Sequence, residues 1–420
     1  MTDDTTNSTT DTTADTTTTV LADPLTLPCG EVLANRIAKA GMSEQLATRA
    51  GIPTAGLHRL YATWARSGAG LLITGNIMIN RDGLVEPRNA ILDNDHALTA
   101  FTAWADAAKH CGTAVWMQIN HPGRVATVPF TRRPVAPSPT REPVPGYNLR
   151  TPRELTGRRI QALIHDFART AHLAVAAGFD GIQIHAAHGF LLSQFLSPLA
   201  NTRDDDYGRT PAGRRRALLE TVAAVREAVG PAVPVSVKLN SKDFQYGGLS
   251  EAESLDVAAA LADAGIDLLE ITGGNYAEPA MEGVHHTPHQ GPYFAGYATK
   301  VRHRVDVPLM LTGGLRTRTT MERLVAGGAV DIVGIARPMA FVPDYPARIL
   351  ADEPEPLLPA PPRPTGYRPL DGYVQLAAHN HQFHRIATGR TPQTRAGLGT
   401  VLHAVGKLTA AAAGQAVLPR

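Results

Sequence analysis

A closed (β/α)8 barrel is the fold the sequence predicts, and three observations predict it. Short apolar strands alternate with longer amphipathic segments, which is the mark of parallel βα units. Eight such units fit between residues 22 and 353, a span suited to one closed barrel. Polar and glycine residues gather where the strands end, the face on which barrel loops converge. An open doubly wound sheet is the competing architecture, but the GxGxxG and GxxxxGK[ST] fingerprints of such folds are both absent.

The strands are expected at 36–40, 70–77, 113–119, 181–185, 234–239, 268–272, 309–312 and 332–335, each a short apolar run. Helices are expected at 98–110, 157–177, 212–229, 251–264 and 319–326. Residues 1–21 form a separate region, rich in Thr and Asp, whose composition cannot offset the entropy of ordering, so a disordered tail is expected. Residues 354–420 read as a proline-rich connection up to Pro369, then from Val374 a helical appendage packed on the barrel.

Composition excludes several classes. With 420 residues, 43% of them hydrophobic, the chain can bury a large core. Forty basic against thirty-eight acidic residues leave a net charge of +2, so no bulk electrostatic attraction to nucleic acid or an anionic membrane is expected. No apolar run is long enough to span a bilayer. Cys29 and Cys111 lack CxxC spacing, which argues against a cysteine-bound iron-sulfur cluster and a disulfide scaffold and for a reducing cytoplasm. The sequence leaves open whether the chain is a monomer or a homo-oligomer.

The candidate site follows from the strand ends. They carry Met42 and Ser43, Gly75 and Asn76, Gln118 and His121, His185 and His188, Lys238 and Asn240, Gly273 and Gly274, Gly313 and Gly314, and Gly334 with Arg337. The last two loops suit a phosphate monoester, since glycine lets backbone N–H groups approach and Arg337 adds a forked cationic donor. Tight turns are the bland alternative for these glycines. His185 and His188, three apart, could both donate to a carbonyl oxygen. Zinc is the other use of such a pair, but only alanines separate them and no carboxylate base is adjacent, so no metal is expected. His285, His286 and His289 read as a solvated or lid segment.

Residues 185–208, HAAHGFLLSQFLSPLANTRDDDYG, closely resemble the strand-four signature of the Old Yellow Enzyme family of FMN-dependent ene-reductases. The resemblance runs from about residue 24 to 349 and includes Asn35-Arg36-Ile37, Lys39-Ala40-Gly41-Met42-Ser43, Gln118-Ile119-Asn120-His121-Pro122-Gly123-Arg124, Val235-Ser236-Val237-Lys238-Leu239 and both glycine loops. It implies FMN, bound tightly but not covalently, with NAD(P)H as the expected reductant and a small conjugated carbonyl compound as substrate. By the same resemblance Ala40, Gly41, Met42 and Gly75 lie against the flavin and Ser43 near O4. Gln118 meets the pyrimidine edge, Lys238 approaches N1 and O2, and Gly313, Gly314, Gly334 and Arg337 hold the phosphate. His185 and His188 bind the substrate carbonyl.

One departure stands out. Phe190 occupies the place where many members of the resembled family carry a tyrosine that protonates the α-carbon, and a benzene ring has no proton to give. Three outcomes are open: protonation by water or by Tyr276, a redox-neutral C=C isomerisation, or desaturation. A flavin-free phosphate-binding aldolase or isomerase, and a non-catalytic FMN-binding protein, remain the rivals. The proline-rich 125–150 segment is expected to cover the mouth. The charges of 203–216 read as a salt-bridged helix start.

Overall fold

Eight parallel strands close into a ring: β1 Ile37–Lys39, β2 Leu71–Ile73, β3 Ala114–Asn120, β4 Gly181–Ala186, β5 Val235–Asn240, β6 Leu268–Thr272, β7 Leu309–Thr312 and β8 Ile332–Ile335. β8 pairs with β1, β1 with β2 and β2 with β3, so no strand edge is left open. The computed structural model describes residues 19–109, 111–126, 131, 133–141, 149–282, 291–354, 358, 368–393, 402, 405, 406 and 409. Most of the expected N-terminal tail, the His285, His286 and His289 cluster, part of the 125–150 segment and most of 394–420 lie outside the described residues.

Around the ring stand α1 Ala55–Trp64, α2 Leu98–Lys109, α3 Gly157–Ala176, α4 Pro211–Val229, α5 Glu251–Asp263, α6 Ala295–Arg302, α7 Arg318–Ala326 and α8 Arg368–Ala387. The strands at 268–272, 309–312 and 332–335 have the anticipated bounds. The run at 70–77 does not hold as one strand. It breaks at Thr74, whose hydroxyl accepts from the Gln118 amide at 2.9 Å, and at Gly75, whose amide donates to Glu44 at 2.8 Å. Pairing resumes only at Ile77–Met78, against the end of β3. α1 and α6 were not anticipated. α1 begins at the Thr54 cap and buries Leu57, Leu60, Tyr61 and Trp64, an i, i+3, i+4, i+7 stripe legible in hindsight.

α8 starts at Arg368, inside the stretch expected to be a connection. Pro369 is tolerated there because the first-turn N–H groups have no helical partner to lose. The helix packs on α1. Phe383 meets Trp64 edge-to-face with ring centroids 5.4 Å apart, and Arg59 Nε donates to the Ala387 carbonyl at 2.8 Å. No described helix is long and apolar enough to cross a membrane.

Strand alternation sorts the ring into two faces. Ile37, Leu72, Val115, Ile182, Val237 and Val333 face the helices. Inside the ring, Ala38, Leu71, Trp116, Leu268, Met310 and Ile332 pack with Leu27 and Leu33 of the N-terminal hairpin. Two residues further along the same face the character changes to Gln118, Gln183, Lys238, Glu270 and Thr312. The interior therefore has an apolar floor and a polar upper layer.

Phe383 is almost fully buried, so Phe383→Ala should cost about 3–5 kcal/mol through lost transfer energy and a residual cavity. Chemical denaturation measures it; a loss below about 1 kcal/mol would show that α8 does not depend on this contact.

Candidate active site

The segment after β1 is held from behind. Ala40 donates to the Ile335 carbonyl at 2.9 Å, and buried Glu44 takes the Gly75 amide and the Tyr61 hydroxyl. Lys39, wholly buried on the outer face of the strand, donates to the Ile73 carbonyl at 2.7 Å and to Tyr61 at 3.1 Å. Its ammonium lies 4.0 Å from Glu44 and 4.6 Å from the centre of the Trp64 ring. Burial, partly opposed by the Glu44 charge, lowers its pKa to about 8. Gly41, Met42 and Ser43 then run half-exposed along the mouth, and none of their amides donates to a described residue. A Cβ on Gly41 would come within 2.7 Å of Gln118 Nε2 and 2.8 Å of the Thr74 carbonyl, so only glycine lets this backbone approach. Ser43 donates its hydroxyl proton to Glu86, whose carboxyl is pushed up by burial. Gly75 is buried and its amide is committed to Glu44.

Beneath the mouth one hydrogen-bonded chain crosses the ring. Gln118 Nε2 donates to Gln183 Oε1 at 2.7 Å, and Gln183 Nε2 donates to Glu270 Oε2 at 2.9 Å. Glu270 Oε1 accepts from Lys238 Nζ and from the Thr312 hydroxyl, each at 2.7 Å. Gln118, Gln183, Lys238 and Glu270 are all at most 3% exposed, so the layer is nearly dry.

Two imidazoles sit where β4 ends. The Ala187 amide donates to His185 Nδ1 at 3.2 Å, which leaves the ring proton on Nε2. His188 adopts a left-handed backbone, φ 60°, and its amide donates to Asn240 Oδ1 at 3.1 Å. Its Nε2 lies 3.0 Å from the Thr272 hydroxyl. The two rings are 5.1 Å apart. Burial holds both well below the usual histidine range, reinforced at His185 by His188 and Lys238 and at His188 by Lys238. Both are therefore neutral near pH 7.

Phe190 lies edge-on to His185 at 4.8 Å and 5.9 Å from the Tyr276 ring. It packs with Met78, Val85, Ile91 and Val125, so the start of the 125–150 segment joins an apolar wall beside the histidines.

The remaining predicted residues form the far end. Gly313 and Gly314 have φ of 124° and 77°, values that favour glycine, and neither amide donates to a described residue. A side chain on Gly334 would collide with the Thr312 hydroxyl. Arg337 reaches the Tyr293 hydroxyl and the Glu282 carbonyl through long contacts of 3.3 and 3.4 Å. Behind it His379 of α8 is lowered to about 3 by burial and by the Arg337 charge. The charges at 203–216 pair locally, Arg203 with Asp205 at 2.5 Å and Arg216 with Asp206 at 3.3 Å.

Several groups here are built for something else to complete them. Both side-chain polar atoms of Asn120 and the Nε2 of His121 are buried with no hydrogen-bond partner among the described residues. With the unused amides of 41–43 and 313–314, they suit a ligand with a hydrogen-bonding edge and an anionic tail, which is what FMN offers. The sequence profile of the NADH:flavin oxidoreductase / NADH oxidase family matches residues 21–355. The chain belongs to that family. Among this flavin oxidoreductase's relatives, the NADH-dependent flavin oxidoreductase iccE of Talaromyces variabilis is 35% identical over 359 residues, covering 79% of this chain and 86% of that protein. Among solved structures, the old yellow enzyme homologue from Zymomonas mobilis superposes with a TM-score of 0.69 at 27% identity, covering 80% of this chain and 94% of that one. Morphinone reductase gives 0.68 at 25%, covering 82% and 92%. The family implies FMN as cofactor and NAD(P)H as reductant, and the flavin-free aldolase or isomerase alternative falls with it.

From the sequence alone Lys39 is given no role, and Glu44, Gln183 and Glu270 are not singled out. A signal existed for the last: a carboxylate in the middle of LLEIT must be paired inside a barrel.

His121 supplies a pH test. Its Nδ1 accepts from the Gly123 amide at 3.1 Å, and burial, then the Arg159 charge, lowers its pKa to about 3. An unfolded histidine takes a proton near pH 6.5. Between those values the unfolded state binds more protons, so stability present above pH 6.5 is lost as pH falls toward 3. Each such histidine steepens the decline by up to about 1.4 kcal/mol per pH unit. His121→Asn, which keeps an acceptor for Gly123, should flatten the acid limb measured by denaturation between about pH 4.5 and 7; an unchanged slope would mean that His121 is not held neutral.

Proposed function

We propose that this enzyme acts on the C=C bond of an α,β-unsaturated carbonyl or related conjugated compound. The observation that carries the proposal is the pair of neutral imidazoles at the end of β4, above a dry polar layer. Bound FMN supplies hydride chemistry at its N5. Ala40, Gly41 and Met42 would lie against its ring system, Gln118 at the pyrimidine edge, Lys238 near N1 and O2, and Gly313, Gly314, Gly334 and Arg337 at the phosphate. Ser43 would stand near O4, but its hydroxyl proton goes to Glu86, so here it has none to donate to that carbonyl.

His185 presents Nε2–H to the carbonyl oxygen. A Thr272 hydroxyl that donates to His188 Nε2 puts the second proton on Nδ1, giving the oxygen two donors. As negative charge gathers on that oxygen these donors bind the transition state better than the ground state. Their neutrality matters, because they answer developing charge without placing full cations in the wall. A cytoplasmic setting is part of the same proposal, supported by the free thiols of Cys29 and Cys111.

Phe190 favours a second reading. It is 5% exposed within an apolar cluster, so the α-carbon has no donor from that side, and Tyr276 is the phenol closest to the ring. Slow protonation leaves redox-neutral isomerisation or desaturation as the competing outcomes.

His185→Ala should lower turnover of a simple cyclic enone by about 100- to 1,000-fold, the cost of one lost donor to a developing oxyanion. Little change would remove the carbonyl-binding role. Incubating the enzyme with enones, dienones and saturated ketones, with and without NADH or NADPH, tests the reaction itself. Reduction should consume the nucleotide in step with product, whereas isomerisation should form product without net consumption of it. Failure of either nucleotide to bleach the flavin anaerobically, with no product formed, would overturn the catalytic reading. Phe190→Tyr should raise net reduction and place solvent deuterium at the α-carbon; an unchanged product distribution would show that position 190 does not govern protonation.

A further inference from the structure

Glu270 has no role in the chemistry above, yet it lies fully buried at the centre of β6, where an unpaired carboxylate is strongly disfavoured. Its two oxygens serve different groups. Oε1 takes Lys238 at 2.7 Å and Thr312 at 2.7 Å, and Oε2 takes Gln183 at 2.9 Å. Gln183 in turn takes Gln118 at 2.7 Å. The two side chains assigned to the pyrimidine edge of the flavin are thus tied to one carboxylate, Lys238 directly and Gln118 through Gln183.

We propose that Glu270 is a positioning residue that fixes Lys238 and Gln118 for the flavin and offsets the Lys238 charge, setting the reduction potential below what a lone ammonium would impose. The proposal rests on the reading that FMN lies against Lys238. A reduced, anionic flavin is stabilised by nearby positive charge, and in a dry layer a carboxylate in contact with the ammonium cancels much of that field. The other buried ions near the layer, Lys39 and Glu44, form their own pair on the outer face of β1, 4.0 Å apart. Neither frees Lys238 from its carboxylate. Thr312 and Gln183 are neutral donors, so they orient Glu270 without neutralising it.

The test compares wild-type holoenzyme with Glu270→Gln, Lys238→Met and the double variant. Midpoint potential is read by anaerobic titration against reference dyes, sulfite affinity by flavin absorbance and FMN affinity by fluorescence. Glu270→Gln should favour the reduced flavin by about tenfold, which is about 30 mV for a two-electron couple, and tighten sulfite in parallel. Lys238→Met should shift both the other way, because it leaves the carboxylate unpaired. The double variant should return to within about threefold of wild type, or about 15 mV. If Glu270→Gln does not fold, the comparison of Lys238→Met with the double variant carries the test. A double variant that stays where Lys238→Met lies, or a folded Glu270→Gln with wild-type potential and sulfite affinity, overturns the role of Glu270. A Lys238→Met enzyme unchanged in potential, sulfite affinity and FMN affinity instead overturns the placement of the flavin at Lys238.

Discussion

Burying a carboxylate and an ammonium together inside a closed barrel is the constraint on which the site rests. Lys238 and Glu270 occupy adjacent strands in register, Lys238 opposite Glu270, so their contact is fixed by the sheet ladder and not by loop conformation. Desolvation would expel either ion alone. Their pairing, with Thr312 and Gln183 filling the remaining acceptor positions, lets the ring carry a polar layer above its apolar floor. That layer divides the barrel into a lower part that holds the fold together and an upper part that has polar groups to offer.

The same logic governs the mouth. His185 and His188 are neutral because the wall around them is apolar and Lys238 is close, and their ring partners, the Ala187 amide and the Thr272 hydroxyl, bear on which nitrogen carries the proton. Asn240 links the two features, accepting from the His188 amide and donating from its Nδ2 to the Gly274 carbonyl at 2.9 Å. Charge state, tautomer and ring placement thus follow from burial and a few hydrogen bonds. On the other side of the ring, Lys39, Tyr61 and Glu44 support the 41–43 backbone from the helix layer. One edge of the site is therefore anchored outside the barrel and the other within it.

How much of this was legible in the sequence depends on how local each feature is. The eight strands were readable because each is a short apolar run bounded by turn residues, and LLEIT, LMLT and IVGI kept their anticipated limits. The 70–77 strand was misread because its break is imposed from a distance by Gln118 and Glu44. The glycine loops and the His185/His188 pair were visible because function needs those residue types at strand ends. Gln183 and Glu270 sit inside apolar strands and take their partners from other strands, among them β3, β5 and β7, so no local pattern marks them. Phe190 was read only as an absent phenol; that it belongs to an apolar wall requires Val85, Ile91 and Val125 to be brought beside it.

That wall changes what the missing hydroxyl means. A tyrosine simply replaced on an open surface would leave water to supply the proton, but Phe190 is sealed among aliphatic side chains and meets His185 edge-on. Water is kept from this side of the pocket by the same contacts that hold the imidazole in place. The low polarity strengthens every hydrogen bond to a carbonyl oxygen while removing the means of quenching charge at the neighbouring carbon. On the proposed reading activation of the oxygen falls to His185 and His188, and protonation of the carbon to Tyr276, half-exposed at the edge of the same apolar cluster.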